Sequence, residues 1–184
     1  MSLFYTRKGD KGKSYVGKRF VKKTCLEVEA LGELDELNSL LGLIKSGRVS
    51  KKFQGLIHNI QENLFIIQSR VANAMLGGAF KVPEFKKEKI DEAEDIIDRF
   101  EKSLKPAKKF IVSGINPLSA WLDHARAKSR RVERSVLKII NPRRRAMLNP
   151  EILAYLNRLS SLLFAMARMA VKESGKKEIH PTYR

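Results

Sequence analysis

Residues 116–134 read NPLSAWLDHARAKSRRVER, and this stretch sets the pattern around which the rest of the chain is arranged. Its apolar and small residues recur at spacings of four and three, which predicts one buried face of a helix. These residues are Leu118, Leu122, Ala125, Ser129, Val132 and Val136. Arg126, Arg130 and Arg134 follow one another at spacings of four beside that face, and Glu133 lies within reach of Arg130. The row is either a solvated basic face or a polyanion-binding wall at an interface, and its position beside the apolar face favours the wall.

The same helical period recurs in four other stretches of the chain. It predicts helices over about 30–47, 51–74 and 87–104, and it extends the Arg-bearing helix to residue 140. A last helix is predicted to begin with Asn149 as its cap and Pro150 in its first turn. Five helices and no convincing strand predict an all-α protein, a single five-helix bundle over 1–184 with a four-helix-bundle-like core. Residues 1–25 form a basic N-terminal segment, and the polar tail 175–184 is expected to be loosely held.

The charge balance points to an anionic ligand. The 184 residues include 37 lysines and arginines against 20 acidic residues, a formal net charge of +17. Such a field attracts nucleic acid, nucleotides or other anions, although part of it can serve solubility. The lone Cys25 cannot form an internal disulfide, which suits a reducing cytoplasm. No apolar run is long enough for a membrane span, no secretory signal is recognisable, and three scattered histidines give no metal-ligand spacing.

Outside the helices, two segments carry candidate chemistry. The stretch 5–14, YTRKGDKGKS, could lay backbone N–H groups and lysines around phosphates, but it lacks the Walker spacing, so a frayed basic tail is the alternative. Phe110 opens a short apolar run, and its residue type alone predicts a core position. Polar residues beside the apolar faces of three helices could converge on one site: Asp35, Arg126 with Arg130, and Asn157.

Four blocks, in order along the chain, resemble the motifs of one family. YTRKGDKGKS resembles YTxTGDxGxT/S, and ALGELDELNSLLGL resembles GxxDELNSxLG. FIVSGINPLSAWLDHARAKSRRVER resembles FxLPGGxxxSAxLHxARxxxRRAER, and YLNRLSSLLFAMAR resembles YLNRLSDLLFxxAR. The sequence therefore resembles the PduO-type ATP:cob(I)alamin adenosyltransferases over nearly its whole length.

This resemblance implies a homotrimer with three sites between neighbouring subunits. Members of the family transfer the 5′-deoxyadenosyl group of ATP to the cobalt of a reduced corrinoid such as cobalamin, and they release triphosphate. Co(I) is itself the nucleophile, so the cofactor carries the organic chemistry and the protein supplies orientation and electrostatics. Mg²⁺ would travel with the triphosphate. An electron donor for Co(II) is also implied, and a cobalamin-dependent mutase is a candidate recipient of the product.

The resemblance also implies roles for individual residues. The nucleotide would be bound by Thr6, Arg7, Lys8, Gly9, Ser14, Lys22, Arg130, Arg131, Glu133, Arg134 and Asn157. Arg126 would pair with Asp35 of the adjacent subunit and shape the corrinoid side, and Phe110 would displace the lower ligand of cobalt, which leaves Co(II) four-coordinate. Arg130 would stabilise the charge that develops on the departing triphosphate. No metal-binding residue is assigned.

Some positions depart from the family pattern, and two other functions stay open. Lys8 stands where the family has Thr, residues 113–115 read SGI instead of PGG, and Ser161 replaces Asp. Two residues are missing between Ser14 and Lys22, which weakens the assignment of Lys22. The first alternative is a basic helical bundle that binds nucleic acid, although aromatics are only 8% of the chain and most lie in helix faces. The second is an inactive homologue that binds ATP or a corrinoid.

Overall fold

The computed structural model describes residues 4–5, 7–16, 19–106, 109–140 and 148–184. These residues form five helices and one two-stranded hairpin, so the five predicted helices are confirmed and the expectation of no strand is wrong. The elements are β1 (Lys13–Val16), β2 (Arg19–Lys22), α1 (Leu26–Ser46), α2 (Lys51–Met75), α3 (Glu88–Leu104), α4 (Pro117–Lys138) and α5 (Pro150–Glu173). Helix α1 begins four residues before its predicted start, and α4 ends two residues before its predicted end.

Local capping fixes where α4 begins and hence where its arginines point. The Asn116 side chain accepts a hydrogen bond from the backbone N–H of Ser119 at 2.8 Å, and Ser119 Oγ accepts one from the backbone N–H of Asn116 at 3.2 Å. This capping box satisfies N–H groups that a helix start would otherwise leave unpaired. Pro117 occupies the first turn, and Asn149 with Pro150 opens α5 as predicted.

The helices share one apolar core, and the predicted buried faces are confirmed. In α4, residues Leu122, Ala125, Ser129, Val132 and Val136 are buried. Helix α4 packs against α1 on one side and α5 on the other, while α3 lies against α5 and α2 against α1. Contacts between α4 and α5 run in opposite order along the two helices, so the pair is antiparallel: Asn116 to Ala170, Asp123 to Arg168 and Glu133 to Asn157. None of the described helices is both long and apolar enough to cross a membrane.

A buried polar cluster joins α2, α3 and α5. Asn63 Nδ2 donates to the Tyr155 hydroxyl at 3.1 Å, and Asn63 Oδ1 accepts from Lys89 Nζ at 2.6 Å. Burial raises the pKa of Tyr155 to about 12, although the hydrogen bond from Asn63 acts in the opposite direction. Because each of these polar groups has a partner, the cluster fixes the relative position of the three helices without leaving a buried donor unpaired.

Candidate functional site

The arginine row, defined as Arg126, Arg130 and Arg134, lies along one side of α4, and its first member contacts α5. Arg130 and Arg134 are exposed, whereas Arg126 is half-buried with its guanidinium 6.0 Å from the ring centre of Phe164. Spacings of four residues place successive members about 6 Å apart along the helix axis. The row is therefore a basic stripe on the helix about 12 Å long, which is long enough to contact several phosphate groups.

The Nε atom of Arg126 lies near a carboxylate but makes no hydrogen bond to the residues that the structure describes. Asp123 Oδ1 lies 4.0 Å from Arg126 Nε, and the same carboxylate makes a short hydrogen bond with Arg168, which is 3% exposed. Within the described part of the chain, Arg126 Nε is buried and has no hydrogen-bond acceptor. A buried guanidinium donor without an acceptor is unfavourable, and the Asp123 carboxylate at 4.0 Å offsets part of that cost by charge alone.

Asn157 and Glu133 form a second polar contact beside the row. Asn157 Nδ2 donates to Glu133 Oε1 at 3.0 Å, and Asn157 Oδ1 accepts from Arg158 at 2.8 Å. Arg158 is fixed in turn by Glu94 of α3 at 2.6 Å. The sequence predicted that Glu133 would brace Arg130, but among the described residues its carboxylate accepts its hydrogen bond from Asn157. Glu133 therefore orients the Asn157 amide.

Arg131 points to the other side of α4, toward α1. Its Nε lies 2.9 Å from Glu33 Oε1, and the buried Lys128 lies 2.6 Å from the second oxygen of the same carboxylate. Lys128 also pairs with Glu36 and lowers the pKa of that carboxyl by hydrogen bonding. The structure thus separates Arg131 from the arginine row. Asp35, close by on α1, is exposed.

The N-terminal hairpin and the turn before it bring together five of the eleven residues assigned to the nucleotide. Arg7, Lys8 and Gly9 form the turn that precedes β1, Ser14 lies in β1, and Lys22 ends β2. The frayed tail expected as the alternative is therefore wrong for these residues. Thr6, which shares the assignment, lies outside the described residues. So do Arg143, Arg144 and Arg145, part of the chain's basic excess.

The hairpin concentrates positive charge. Lys13 and Lys22 are direct cross-strand partners, and the ammonium of Lys23 lies 3.1 Å from the place where a Cβ on Gly9 would sit. Like charges opposite each other destabilise a strand pair. The aromatic contact between Tyr15 and Phe20, with ring centres 4.8 Å apart, offsets part of that cost. A bound anion would relieve the remaining repulsion.

Phe110 is 79% exposed, so the expectation from its residue type that it belongs to the core is wrong. Its segment, residues 109–116, lies against the C-terminal tail: Val112 N donates to the carbonyl of Ile179 at 2.8 Å, and His180 Nδ1 lies 2.8 Å from the carbonyl oxygen of Phe110. The tail, which was expected to be loosely held, contributes Ile179 and His180 to these contacts. Phe110 is exposed because its segment lies on the tail instead of entering the bundle.

A cavity of about 610 Å³ opens next to this segment, between the end of α1 and the start of α4. Its walls are mostly apolar, and they include Leu43, Val49, Phe53, Leu118 and Trp121. Such a lining suits an apolar surface rather than a triphosphate. Among the residues that the structure describes, no three His, Cys, Asp or Glu side chains come together as a metal site.

Sequence reasoning missed five residues that support the predicted site. They are Asp123, Phe164, Arg168, Glu178 and His180. Only Asp123 had a local signal, because it lies three residues before Arg126 on the same helix. The other four reach the site through contacts between distant parts of the chain, which periodicity does not reveal.

Comparison with known proteins identifies the family. The model for cobalamin adenosyltransferase matches residues 4–170. The corrinoid adenosyltransferase of Citrobacter freundii is 34% identical over 92% of this chain and 95% of its own length. The corrinoid adenosyltransferase PduO of Salmonella typhimurium is 33% identical over 89% of this chain, which spans 48% of that longer protein.

The fold agrees with these matches. A variant of the PduO-type ATP:corrinoid adenosyltransferase from Lactobacillus reuteri, solved in complex with cobalamin and ATP, superposes with a TM-score of 0.86 and 29% identity. The alignment covers 97% of this chain and 99% of the other. None of these matches supports the alternative of a nucleic-acid-binding bundle. The chain belongs to the cobalamin adenosyltransferase family.

Proposed function

We propose that this protein transfers the 5′-deoxyadenosyl group of ATP to the cobalt of a reduced corrinoid and releases triphosphate. We further propose that it works as a homotrimer, with each site formed between two subunits. The observation that carries the second proposal is the placement of Asp35 and Arg126. Asp35 is exposed on α1, whereas Arg126 lies on the opposite side of α4, over Phe164 of α5, so a contact between subunits is the simplest way to pair them.

The arginine row supplies the electrostatic part of the reaction. Negative charge grows on the leaving triphosphate as the bond between carbon 5′ and oxygen breaks, and fixed cations stabilise that charge without having to reorganise. Arg130 is exposed in the middle of the row, so it can reach phosphate oxygens with two donors at once. The basic hairpin residues Arg7, Lys8 and Lys22 would close over the same phosphates, and Asn157 would offer its amide to the nucleotide.

Phe110 supplies the apolar contact with the corrinoid. Its exposed ring is available to a ligand in a way that a core phenylalanine is not. Placed under a corrinoid, an aromatic side chain would exclude the lower ligand of cobalt and leave Co(II) four-coordinate, which makes its reduction easier. This role requires that the ring be held at a fixed height, and the contacts of its segment with the tail provide such support.

Other components follow from the same chemistry. Mg²⁺ would be held chiefly by triphosphate oxygens and water, because this ion usually keeps several waters and binds together with substrate phosphates. A separate electron donor must reduce Co(II), and a cobalamin-dependent mutase would be a natural recipient of the product. With its single cysteine, the chain suits a reducing compartment such as the cytoplasm.

Two measurements test the proposal. Adenosylation of chemically reduced cobalamin with ATP, followed by absorbance, tests the reaction itself, and no conversion by the wild-type protein would exclude it. Subunit mixing tests the interface, because Asp35→Ala and Arg126→Ala chains in one trimer regenerate one intact Asp35–Arg126 pair. Co-expressed variants should therefore exceed the mean activity of the two separate variants. Mixed trimers, verified with two different tags, that show no such gain would exclude a pair between subunits.

A further inference from the structure

The C-terminal tail runs antiparallel to the segment that carries Phe110. Four contacts connect them, in opposite order along the two stretches. Asn116 Nδ2 donates to Ser174 Oγ at 3.1 Å, and Lys176 Nζ donates to the carbonyl of Ile115 at 3.2 Å. Val112 N then donates to the carbonyl of Ile179 at 2.8 Å, and His180 meets the carbonyl of Phe110 at 2.8 Å. The tail is thus a strap over residues 110–116.

The strap is also anchored to the helical bundle. Glu178 lies 3.7 Å from Arg168, a side chain that is 3% exposed and that also pairs with Asp123 of α4. Arg168 therefore contacts two carboxylates, those of Asp123 and Glu178, and its buried side chain anchors Glu178 to the bundle. Asn116, at the other end of the strap, donates from the same amide to the carbonyl of Ala170 at 3.1 Å. Both the strap and the segment that it covers are therefore bonded to α5, through Arg168 and through the carbonyl of Ala170.

His180 contacts Phe110 through a single defined hydrogen bond. A backbone carbonyl can only accept, so His180 Nδ1 must carry the proton and donate it. The bond fixes the backbone of the very residue whose ring is 79% exposed and has little packing of its own. Since a backbone shift moves the side chain with it, the height of the Phe110 ring depends on this bond.

We propose that His180 is a positioning residue: through the strap 174–180 it holds Phe110 at the height at which the ring can face a corrinoid. This inference rests on the proposed function of Phe110. His180 acts through Phe110 and touches neither nucleotide nor cobalt in this scheme. Removal of its donor should leave nucleotide binding intact, because the substitution keeps the contact of Glu178 with Arg168 and does not touch the hairpin.

Two variants separate this role from general support of the fold. His180→Ala removes the donor, whereas His180→Asn places an amide N–H close to the position of Nδ1. The first readout is exchange of the Val112 backbone amide, which donates to the carbonyl of Ile179, in the full-length protein without ligands. For His180→Ala we expect exchange faster by about threefold to tenfold, the change that losing one hydrogen bond makes in a local opening equilibrium. His180→Asn should restore most of the protection.

The second readout is the kinetics of adenosylation. His180→Ala should lower kcat from cob(II)alamin with a reductant by about threefold to tenfold for the same reason, with KM for ATP unchanged. It should also reduce the fraction of four-coordinate Co(II) in the optical spectrum. If His180→Asn restores amide protection, kcat and the fraction of four-coordinate Co(II), the result supports a positioning role for His180. Wild-type exchange and kcat in His180→Ala would overturn the inference, as would an Asn variant as defective as the Ala variant. Failure of the wild-type protein to adenosylate would instead count against the proposed function, while amide exchange still tests the strap.

Discussion

The arginine row and the Phe110 segment face the same proposed reaction, but they are built in opposite ways. The row lies on the middle of α4, where capping at Asn116 and a buried apolar face fix every side chain at its root. Phe110 lies outside the helices and depends on a few hydrogen bonds from a tail some 70 residues further along the chain. The proposed charge stabilisation thus depends on a helix packed into the core, and the aromatic group depends on a few contacts outside the helices.

The largest effect should come from the row. We expect Arg130→Ala to cost about 2–4 kcal/mol of transition-state stabilisation, the range for removing one fixed charge-stabilising donor, and to lower kcat/KM for ATP accordingly. Steady-state kinetics with reduced cobalamin measure this loss. Arg99→Ala on α3 is the matched control, because it removes the same charge from an exposed helix position whose Nε donates to the carbonyl of Asp95 within its own helix. Equal kinetics for the two variants would remove Arg130 from the mechanism.

Arg131→Ala sharpens this prediction, because it removes the neighbouring charge from the opposite side of α4. Arg131 pairs with Glu33, and Lys128 still neutralises that carboxylate when Arg131 is lost. We therefore expect a smaller loss than for Arg130→Ala. A loss as large as that of Arg130 would mean that the face turned toward α1 also contacts the nucleotide.

Substitution of Phe110 should affect the corrinoid step rather than the binding of ATP. We expect Phe110→Ala to lower turnover from cob(II)alamin by at least about tenfold while ATP affinity changes less than about twofold, because the ring would act on the corrinoid alone. The free energy of unfolding should change by less than about 0.5 kcal/mol, since the ring is 79% exposed. Val112→Ala in the same segment is the control, as it keeps the backbone bond to Ile179. An undiminished four-coordinate Co(II) spectrum in Phe110→Ala would contradict the assignment.

The same contrast explains what the sequence could predict. Helices were predictable because a 3.6-residue period is local, and the arginine row followed from it because it shares α4 with the buried face. The hairpin was missed because its strands are only four residues long and lie among glycines and lysines, where no alternation stands out. The exposure of Phe110 and its contact with His180 depend on residues far apart in sequence. Pairing of Asp35 with Arg126 came from the family resemblance alone, since periodicity describes one chain and not an assembly.

A third region, the buried cluster at Tyr155, should affect stability without affecting turnover. Tyr155→Phe leaves the Asn63 amide without its hydroxyl partner and should cost about 1–2 kcal/mol at pH 7. Folding raises the pKa of Tyr155 to about 12, so the wild type loses stability as pH rises above the unfolded value of about 10, where only the unfolded state ionises. The cost of the substitution should therefore shrink by about 1.4 kcal/mol by pH 11, measured by denaturant unfolding. A cost that does not change with pH would contradict a neutral, buried hydroxyl.

The smallest effect should come from the hairpin, where function and stability should change in opposite directions. Lys22 faces Lys13 across the strands, so Lys22→Gln removes a repulsion and should stabilise the protein by about 0.2–1 kcal/mol at low salt. The same change should weaken ATP binding by about twofold to fivefold, the scale of an exposed ion pair, and make it less sensitive to ionic strength. Titration calorimetry at two salt concentrations measures both, with Lys102→Gln on α3 as the charge-matched control. If Lys22→Gln left affinity and its salt dependence unchanged, the crowded lysines would have no role in nucleotide binding, and their mutual repulsion would need another explanation.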